Sequence, residues 1–183
     1  LGAEDAVAFL REVDQINLRR RATTVDLARE VLGGDFLGKR VTVLGATFKP
    51  DSDDVRDSPS LDVAVAMSNA GAEVVVHDPK GLVNAARVYP HMTYVDDLRE
   101  ALTGAQLVVL GTEGREYREL DPASLGDLVA DRHVIDARNA LDPAKWRAAG
   151  WRYRGLGRSS GNDTRQAARQ CRRAPQPEPG TGH

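Results

Sequence analysis

Arg40-Val41-Thr42-Val43-Leu44-Gly45-Ala46-Thr47-Phe48-Lys49-Pro50-Asp51-Ser52-Asp53-Asp54-Val55-Arg56-Asp57-Ser58-Pro59 decides how the rest of the chain is read. Its start is an apolar run of strand type. Its end is a helix start: Ser58 can cap a free backbone N–H, and Pro59 gives up only an N–H that would be orphaned in the first turn. The stretch is therefore a strand-to-helix connection, the place where open α/β sheets bind ligands. Such connections commonly run about 2–6 residues, and this one is about twice as long. It carries Lys49, Asp51, Asp53, Asp54, Arg56 and Asp57. A long charged loop at that position reads as functional.

Working outward, apolar runs and helix signals alternate from Gly38 to Arg158. A helix from Ser58 should carry Leu61, Val65, Ala66 and Met67 and stop near Gly71. Glu73–His77 follows as a strand, then a short helix over Gly81–Val88 and a short extended piece at Thr93–Val95. Asp97 opens a helix with Glu100 three residues on, a capping-box spacing, ending at Gly104. Gln106–Leu110 and His133–Asp136 read as strands. Asp121-Pro122 opens a helix to about Ala130, and Asp142-Pro143 opens one closed by Gly150. Trp151–Gly155 is a last extended segment. Short runs rich in Val, Ile and Leu, separated by helices, predict an α/β fold: a doubly wound, mostly parallel sheet covered on both faces. Right-handed crossovers put the strand ends on one edge. That rim should hold Gly45, Asp78, Gly111-Thr112 and Asp136–Asn139.

Upstream, residues from about Glu4 to Leu32 read as one long helix closed by Gly33-Gly34. Phe9, Val13, Ile16, Leu27 and Val31 recur at helical spacings. About 28 residues at about 1.5 Å each reach about 40 Å, more than one domain flank needs. The length suggests a spine between domains or subunits. Arg19-Arg20-Arg21 reads either as a solvated face or as cations that pair across a contact. Downstream, residues 159–183 lose every aliphatic larger than Ala and gain Pro, Gly and Arg, which predicts a disordered tail.

Composition narrows the function classes. The chain has 183 residues, with 25 basic and 27 acidic, and a net charge of −2. That balance gives no electrostatic case for nucleic acid. No apolar run reaches the roughly 18 residues of a membrane span. The single cysteine, Cys171, allows no internal disulfide and fits a reducing, cytoplasmic compartment. Cys171 sits in the tail and has no positioned partner for catalysis. The start has no initiator Met and no signal-peptide pattern, so the chain is expected to be a piece of something longer.

The rim residues suggest anion chemistry. The turn after the first strand lacks G-x-G-x-x-G, so a dinucleotide pyrophosphate is not expected to lie tightly on it. The helix start at Ser58–Ser60 favours anions, and Lys49 and Arg56 add cationic donors. Lys49 is either a solvated lysine or a ligand contact. Arg56 either pairs with Asp53 or Asp54 or meets a ligand, with those acids organising the loop. Arg138 is either a surface arginine or a second contact to phosphate or hydroxyl. Asp78 is either a ribose-binding acid or part of an Asp-Pro helix start. Asn139 reads as a turn residue, and Trp146 and Trp151 as packing. His77, His91 and His133 lack metal-ligand spacing and read as structural, so no metal site is expected.

Taken in order, Gly38–Gly45, Phe48-Lys49-Pro50, Ser52–Pro59, Val76-His77-Asp78-Pro79, Gly111-Thr112-Glu113, Asp136-Ala137-Arg138-Asn139 and Tyr153–Arg158 closely resemble the C-terminal domain of UDP-glucose 6-dehydrogenases and their GDP-mannose and UDP-ManNAc relatives. Val13-Asp14-Gln15-Ile16-Asn17 resembles the family's central helix. The resemblance covers residues 1 to about 158. It implies a central dimerisation helix over 1–34 and a Rossmann-like UDP-sugar-binding domain over 38–158. It also implies an enzyme that oxidises a sugar C6 alcohol to a carboxylate with NAD, its partners being a UDP- or GDP-sugar, an NAD-binding N-terminal domain of the same enzyme, and a second subunit of a homodimer. By the same resemblance Phe48, Lys49 and Arg138 meet the nucleotide sugar and Arg56 reaches the NAD cofactor, which is held mainly by the N-terminal domain. The family's catalytic cysteine lies ahead of the matched region, so no catalytic residue is assigned here and the chain alone is expected to be inactive. Two departures stand out: Ser52 replaces a usual Thr, and Gly114 stands where a Trp is common.

Overall fold

The computed structural model describes residues 3–157, with side chains from residue 12 onward except at 14. The expected tail, Cys171 and the side chain of Phe9 lie outside the described residues. Thirteen elements follow in order: α1 (Ala3–Val31), β1 (Arg40–Leu44), α2 (Pro59–Asn69), β2 (Glu73–His77), α3 (Leu82–Val88), β3 (Thr93–Tyr94), α4 (Leu98–Leu102), β4 (Leu107–Leu110), α5 (Arg115–Arg118), α6 (Pro122–Leu125), β5 (His133–Asp136), α7 (Pro143–Ala148) and β6 (Arg152–Gly155).

The six strands form one sheet in the order β3-β2-β1-β4-β5-β6. Every pair is parallel. This is the doubly wound, Rossmann-like order, with its reversal between β1 and β4. The alternation of side chains along each strand feeds two cores. Val41, Val43, Val74, Val76, Leu107, Val109 and Ile135 face α1, α2 and α3. Leu44, Val108, Leu110 and Val134 face the other layer, with Tyr117, Trp146 and Trp151. Thr42 also points to that second layer and loses no hydrogen bond, because its hydroxyl donates to the Ala101 carbonyl at 2.6 Å.

The expected caps are present. Ser58 Oγ accepts from the Leu61 N–H at 3.4 Å, Asp97 from Glu100 at 2.7 Å, and Asp142 from Ala144 at 2.9 Å. One helix is shorter than the sequence suggests: α6 stops at Leu125, not near Ala130. The following backbone is committed elsewhere. Gly104 N donates to the Leu128 carbonyl at 2.8 Å, and Ala130 N donates to Ala105 at 2.8 Å, so this segment pairs with the lead-in to β4. The α5 turn was not foreseen. It is tied down by Tyr117, which is fully buried and whose hydroxyl donates to the His77 carbonyl at 3.0 Å.

Among the described residues, it is the last part of α1 that packs on the sheet domain. Thr24 and Ala28 are buried against it, whereas Ile16 and Leu18 are about half exposed, at 47% and 58%. The three arginines divide. Arg21 pairs with Asp62 of α2, Arg19 lies along its own helix toward the Gln15 carbonyl, and Arg20 lines a cleft beside the rim.

Candidate functional site

The rim is built around the carboxylate of Asp78, which is neither a ribose ligand nor a helix cap. Asp78 directly follows β2 and is buried, with 4% of its surface exposed. Its Oδ2 accepts from the backbone N–H of Ala46 at 2.7 Å and of Thr47 at 3.3 Å. Its Oδ1 accepts from Lys80 N at 2.9 Å and Gly81 N at 2.7 Å. Asp78 therefore clamps the turn after β1 to the turn after β2. It has no free edge for a ribose, and it fills the place on the β1 turn where a dinucleotide pyrophosphate would need backbone N–H groups.

The reversal point next to it is closed as well. Gly45 has φ +96° and lies against Thr112. The Thr112 hydroxyl donates to the Thr47 carbonyl at 3.1 Å, and the Ser60 hydroxyl donates to the Gly45 carbonyl. Ser60 also fills the space beside Gly111. The chain's own first turn thus does not fit a dinucleotide, in keeping with its missing glycine fingerprint.

Above this sealed floor the long loop forms an ordered lobe. Phe48 N donates to the Asp54 carbonyl at 2.9 Å and closes its base. Thr47 Oγ1 donates to the Lys49 carbonyl at 3.0 Å. Val55 is buried as an anchor. Asn84 of α3 donates to the Asp53 carbonyl at 2.9 Å, and Lys80 pairs with Asp51 at 3.1 Å. Charged groups thus spend most of their contacts holding the loop, as expected for Asp54. Its carboxylate accepts from the Arg56 backbone N–H at 3.0 Å and from Nε and Nη2 along one edge of the Arg56 guanidinium at 2.9 and 2.8 Å. The Arg56 hydrogen bonds pull Asp54 down to about 2, and Asp54 in turn raises Arg56. The Arg56 side chain is nonetheless 85% exposed, so its outer face is open.

Phe48 and Lys49 project from the lobe. Phe48 is 54% exposed, unusual for an aromatic. Lys49 is exposed and makes no salt bridge among the described residues. Arg138, after β5, turns toward the neighbouring strand end and pairs with Glu113, after β4. Its Nη2 donates to Oε1 at 2.8 Å and its Nε donates to Oε2. Arg138 holds Glu113 below the usual carboxylate range, and Glu113 raises Arg138. Arg138 also lines the cleft between α1 and the start of α2, with Arg20, Arg21, Ser60 and Leu156.

Three supports complete the rim. Asp136 is fully buried and accepts from Arg138 N at 3.1 Å, Leu141 N at 2.8 Å and the Tyr153 hydroxyl at 2.8 Å. Asn139 adopts φ 55° and donates to the Leu156 carbonyl at 3.0 Å, the turn role expected of it. His77 lies 2.9 Å from the Tyr117 hydroxyl, and burial lowers its pKa. Gly114 is the N-cap position of α5, and the Glu116 carboxylate folds over it, where a larger residue would have to displace it. The structure thus puts Phe48, Lys49, Arg56 and Arg138 on one edge. It adds Glu113 and Asp78, which sequence reasoning did not assign these roles; Glu113 stands 25 residues from its partner.

Comparison with known proteins gives this edge a family. Residues 42–143, more than half of the chain, match the UDP binding domain of the UDP-glucose/GDP-mannose dehydrogenase family. A UDP-glucose 6-dehydrogenase from Rickettsia felis is 36% identical over 151 residues, covering 81% of this chain and 34% of that protein. One from Rhizobium meliloti is 37% identical over 143 residues, covering 76% and 32%. Among solved structures, a UDP-glucose dehydrogenase from Pyrobaculum islandicum aligns with a TM-score of 0.68 at 34% identity, covering 81% of this chain and 32% of that one. An NDP-N-acetyl-D-galactosaminuronic acid dehydrogenase from Methanosarcina mazei aligns with a TM-score of 0.69 at 30% identity, covering 86% and 33%. The chain spans about a third of the length of these relatives. A doubly wound sheet with a sealed first turn, a long charged lobe above it and this run of matches have one common reading: the chain belongs to the UDP-glucose/GDP-mannose dehydrogenase family.

Proposed function

We propose that the chain is the nucleotide-sugar-binding portion of an NAD-dependent sugar 6-dehydrogenase of the UDP-glucose type, working in a reducing, cytoplasmic setting. The observation that carries this is the exposed pair Phe48 and Lys49 on an ordered lobe, the lysine making no salt bridge among the described residues. An aromatic face can stack on a base, and an unmatched ammonium suits a diphosphate. Arg138 lies on the same edge and meets the same ligand. Arg56, with its open outer face, reaches toward NAD held by another domain of the enzyme. The sealed β1 turn supports this division, because it leaves no seat for the dinucleotide on this sheet. The functional division follows the sequence reading: a dimerisation helix over residues 1–34, the ligand-binding domain over 38–158, and a tail over 159–183.

Calorimetric titration of the chain with UDP-glucose tests this. Binding is expected, and Lys49→Ala should weaken it by about 10-fold or more, the scale of a lost hydrogen bond from a charged donor. The Lys49 share should also shrink as salt is raised. A folded chain that binds neither UDP nor UDP-glucose would count against a self-contained site.

The exposed Ile16 and Leu18 on the part of α1 that does not pack on the sheet favour a second, compatible role in homodimer formation. Sedimentation of the chain is expected to show a dimer that Ile16→Glu with Leu18→Glu dissociates. A monomeric parent chain would sink this assignment.

A further inference from the structure

Arg56 is aimed by a contact outside its own loop. Its guanidinium pairs with Asp54, two residues away, in an exposed turn. An exposed ion pair contributes little by itself, so the turn keeps one shape only where its backbone is held. The Asp54 carbonyl accepts from Phe48 N at 2.9 Å. The carbonyl one residue earlier, that of Asp53, accepts from Asn84 Nδ2 of α3 at 2.9 Å. Two successive peptide groups are thus fixed, one from the base of the lobe and one from α3. The same arm includes Asp51, whose φ of 60° a non-glycine residue holds only where its surroundings impose it. Among the described residues, the other side chain that reaches this arm from outside the lobe is Lys80, and its pair with Asp51 joins two exposed groups. Most of the hold therefore falls to Asn84.

Nearby charges set no angle for Arg56. Lys49 acts on Asp54 and Asp57 acts on Arg56 through space, and Arg87 lines the groove between the lobe and α3 with Asp53, Asp54, Arg56 and Asn84. Attraction between exposed charges is screened and constrains orientation weakly, whereas a hydrogen bond is directional. The residue type also has a local cost: asparagine is a weak helix former, and α3 has only seven residues. We propose that Asn84 is a positioning residue: by holding the Asp53–Asp54 peptide it directs the Arg56 guanidinium. The Phe48–Lys49 side of the lobe is left to Thr47 and the Asp78 clamp. The inference rests on the reading above for what Arg56 meets, a cofactor held by another domain, and on this geometry for how Arg56 is held. α3 then belongs to the cofactor side of the site.

The test is NMR on the 183-residue chain with two variants. Asn84→Leu keeps the volume, removes the donor and favours the helix. Asn84→Asp keeps the shape and has no donor at neutral pH. In the parent chain the Asp54 carboxyl carbon should stay flat between about pH 6 and about pH 3.5, because Arg56 holds Asp54 down at about 2. In Asn84→Leu a titration step should enter that interval. In both variants at neutral pH the Arg56 Nε–H signal, resolved in the parent, should broaden or vanish. The Ala46 and Thr47 amides, held by Asp78, should keep their shifts, and UDP-glucose affinity by calorimetry should change less than about 2-fold. An Asp54 carboxyl and an Arg56 signal that do not respond to Asn84→Leu overturn the proposal. So does a response that spreads to Ala46, Thr47 and UDP-glucose affinity, since Asn84 would then support the whole lobe. A parent chain that does not bind UDP-glucose counts against the sugar-nucleotide reading, and the Asp54, Arg56, Ala46 and Thr47 signals still decide on Asn84.

Discussion

Asp78→Asn is expected to lower the melting temperature of the chain by about 10 °C. The carboxylate receives four backbone N–H groups, two on each oxygen, and it is buried. Asparagine keeps one acceptor oxygen and puts an NH₂ group where the other oxygen stood. Two N–H donors then face a donor. Whichever way the amide turns, one of the two loops loses its anchor: either Ala46 and Thr47 or Lys80 and Gly81. Hydrogen bonds to charged groups contribute about 1.5–3 kcal/mol each, and a buried donor left without a partner adds its own cost. A loss of about 3 kcal/mol is a conservative sum, and for a domain of this size about 2–4 °C accompany each kcal/mol. Thermal denaturation followed by circular dichroism measures it. Amide exchange adds a local readout, since Ala46 and Thr47 or Lys80 and Gly81 should lose protection more than the β4 amides do. An unchanged melting temperature would show that the clamp contributes nothing.

Gly45→Ala should be comparably severe for a different reason. Gly45 has φ +96°, which an L side chain rarely adopts. A methyl group there would also fall 2.5 Å from Thr112 Cβ and 2.9 Å from the Thr112 backbone nitrogen. The backbone penalty is about 1–2 kcal/mol, and forced overpacking typically adds about 1–3 kcal/mol. Together they predict a loss of about 3 kcal/mol. The two terms can be separated. Thr112→Gly removes the side-chain clash but not the φ penalty or the close backbone nitrogen. The double variant should therefore recover only part of the loss. Full recovery would mean that the conformation of Gly45 costs alanine nothing, contrary to its geometry.

Both substitutions strike features whose purpose is hidden in a linear reading, and they show where that reading runs out. The strands were legible because continuous Val, Ile and Leu runs have few other uses in a chain of this polarity. The helix starts were legible because a cap is a local device: Ser58, Asp97 and Asp142 each bond a residue two or three positions on. The ordering role of Asp54 was legible for a similar reason, since its partner Arg56 belongs to the same loop. Asp78 was harder. Its partners lie both next door and about thirty residues upstream, and an Asp-Pro pair has an ordinary local explanation. The same holds for Glu113 and Arg138, which meet only because β4 and β5 are neighbours. The overrun predicted for α6 has the same origin. Residues 126–130 have only Gly126 locally against a helix, but their backbone is used by the segment leading into β4.

The Asp78 clamp also bears on how such a domain can be altered. A turn that closes on its ligand must be redesigned whenever the ligand changes. Here the turn closes on a residue of its own chain, so its shape does not depend on what is bound. The surfaces proposed to meet the ligand are side chains standing on that fixed base. Selectivity for one nucleotide sugar over another can then be exchanged one tip at a time, and a library confined to positions 48, 49 and 138 should yield folded variants at high frequency.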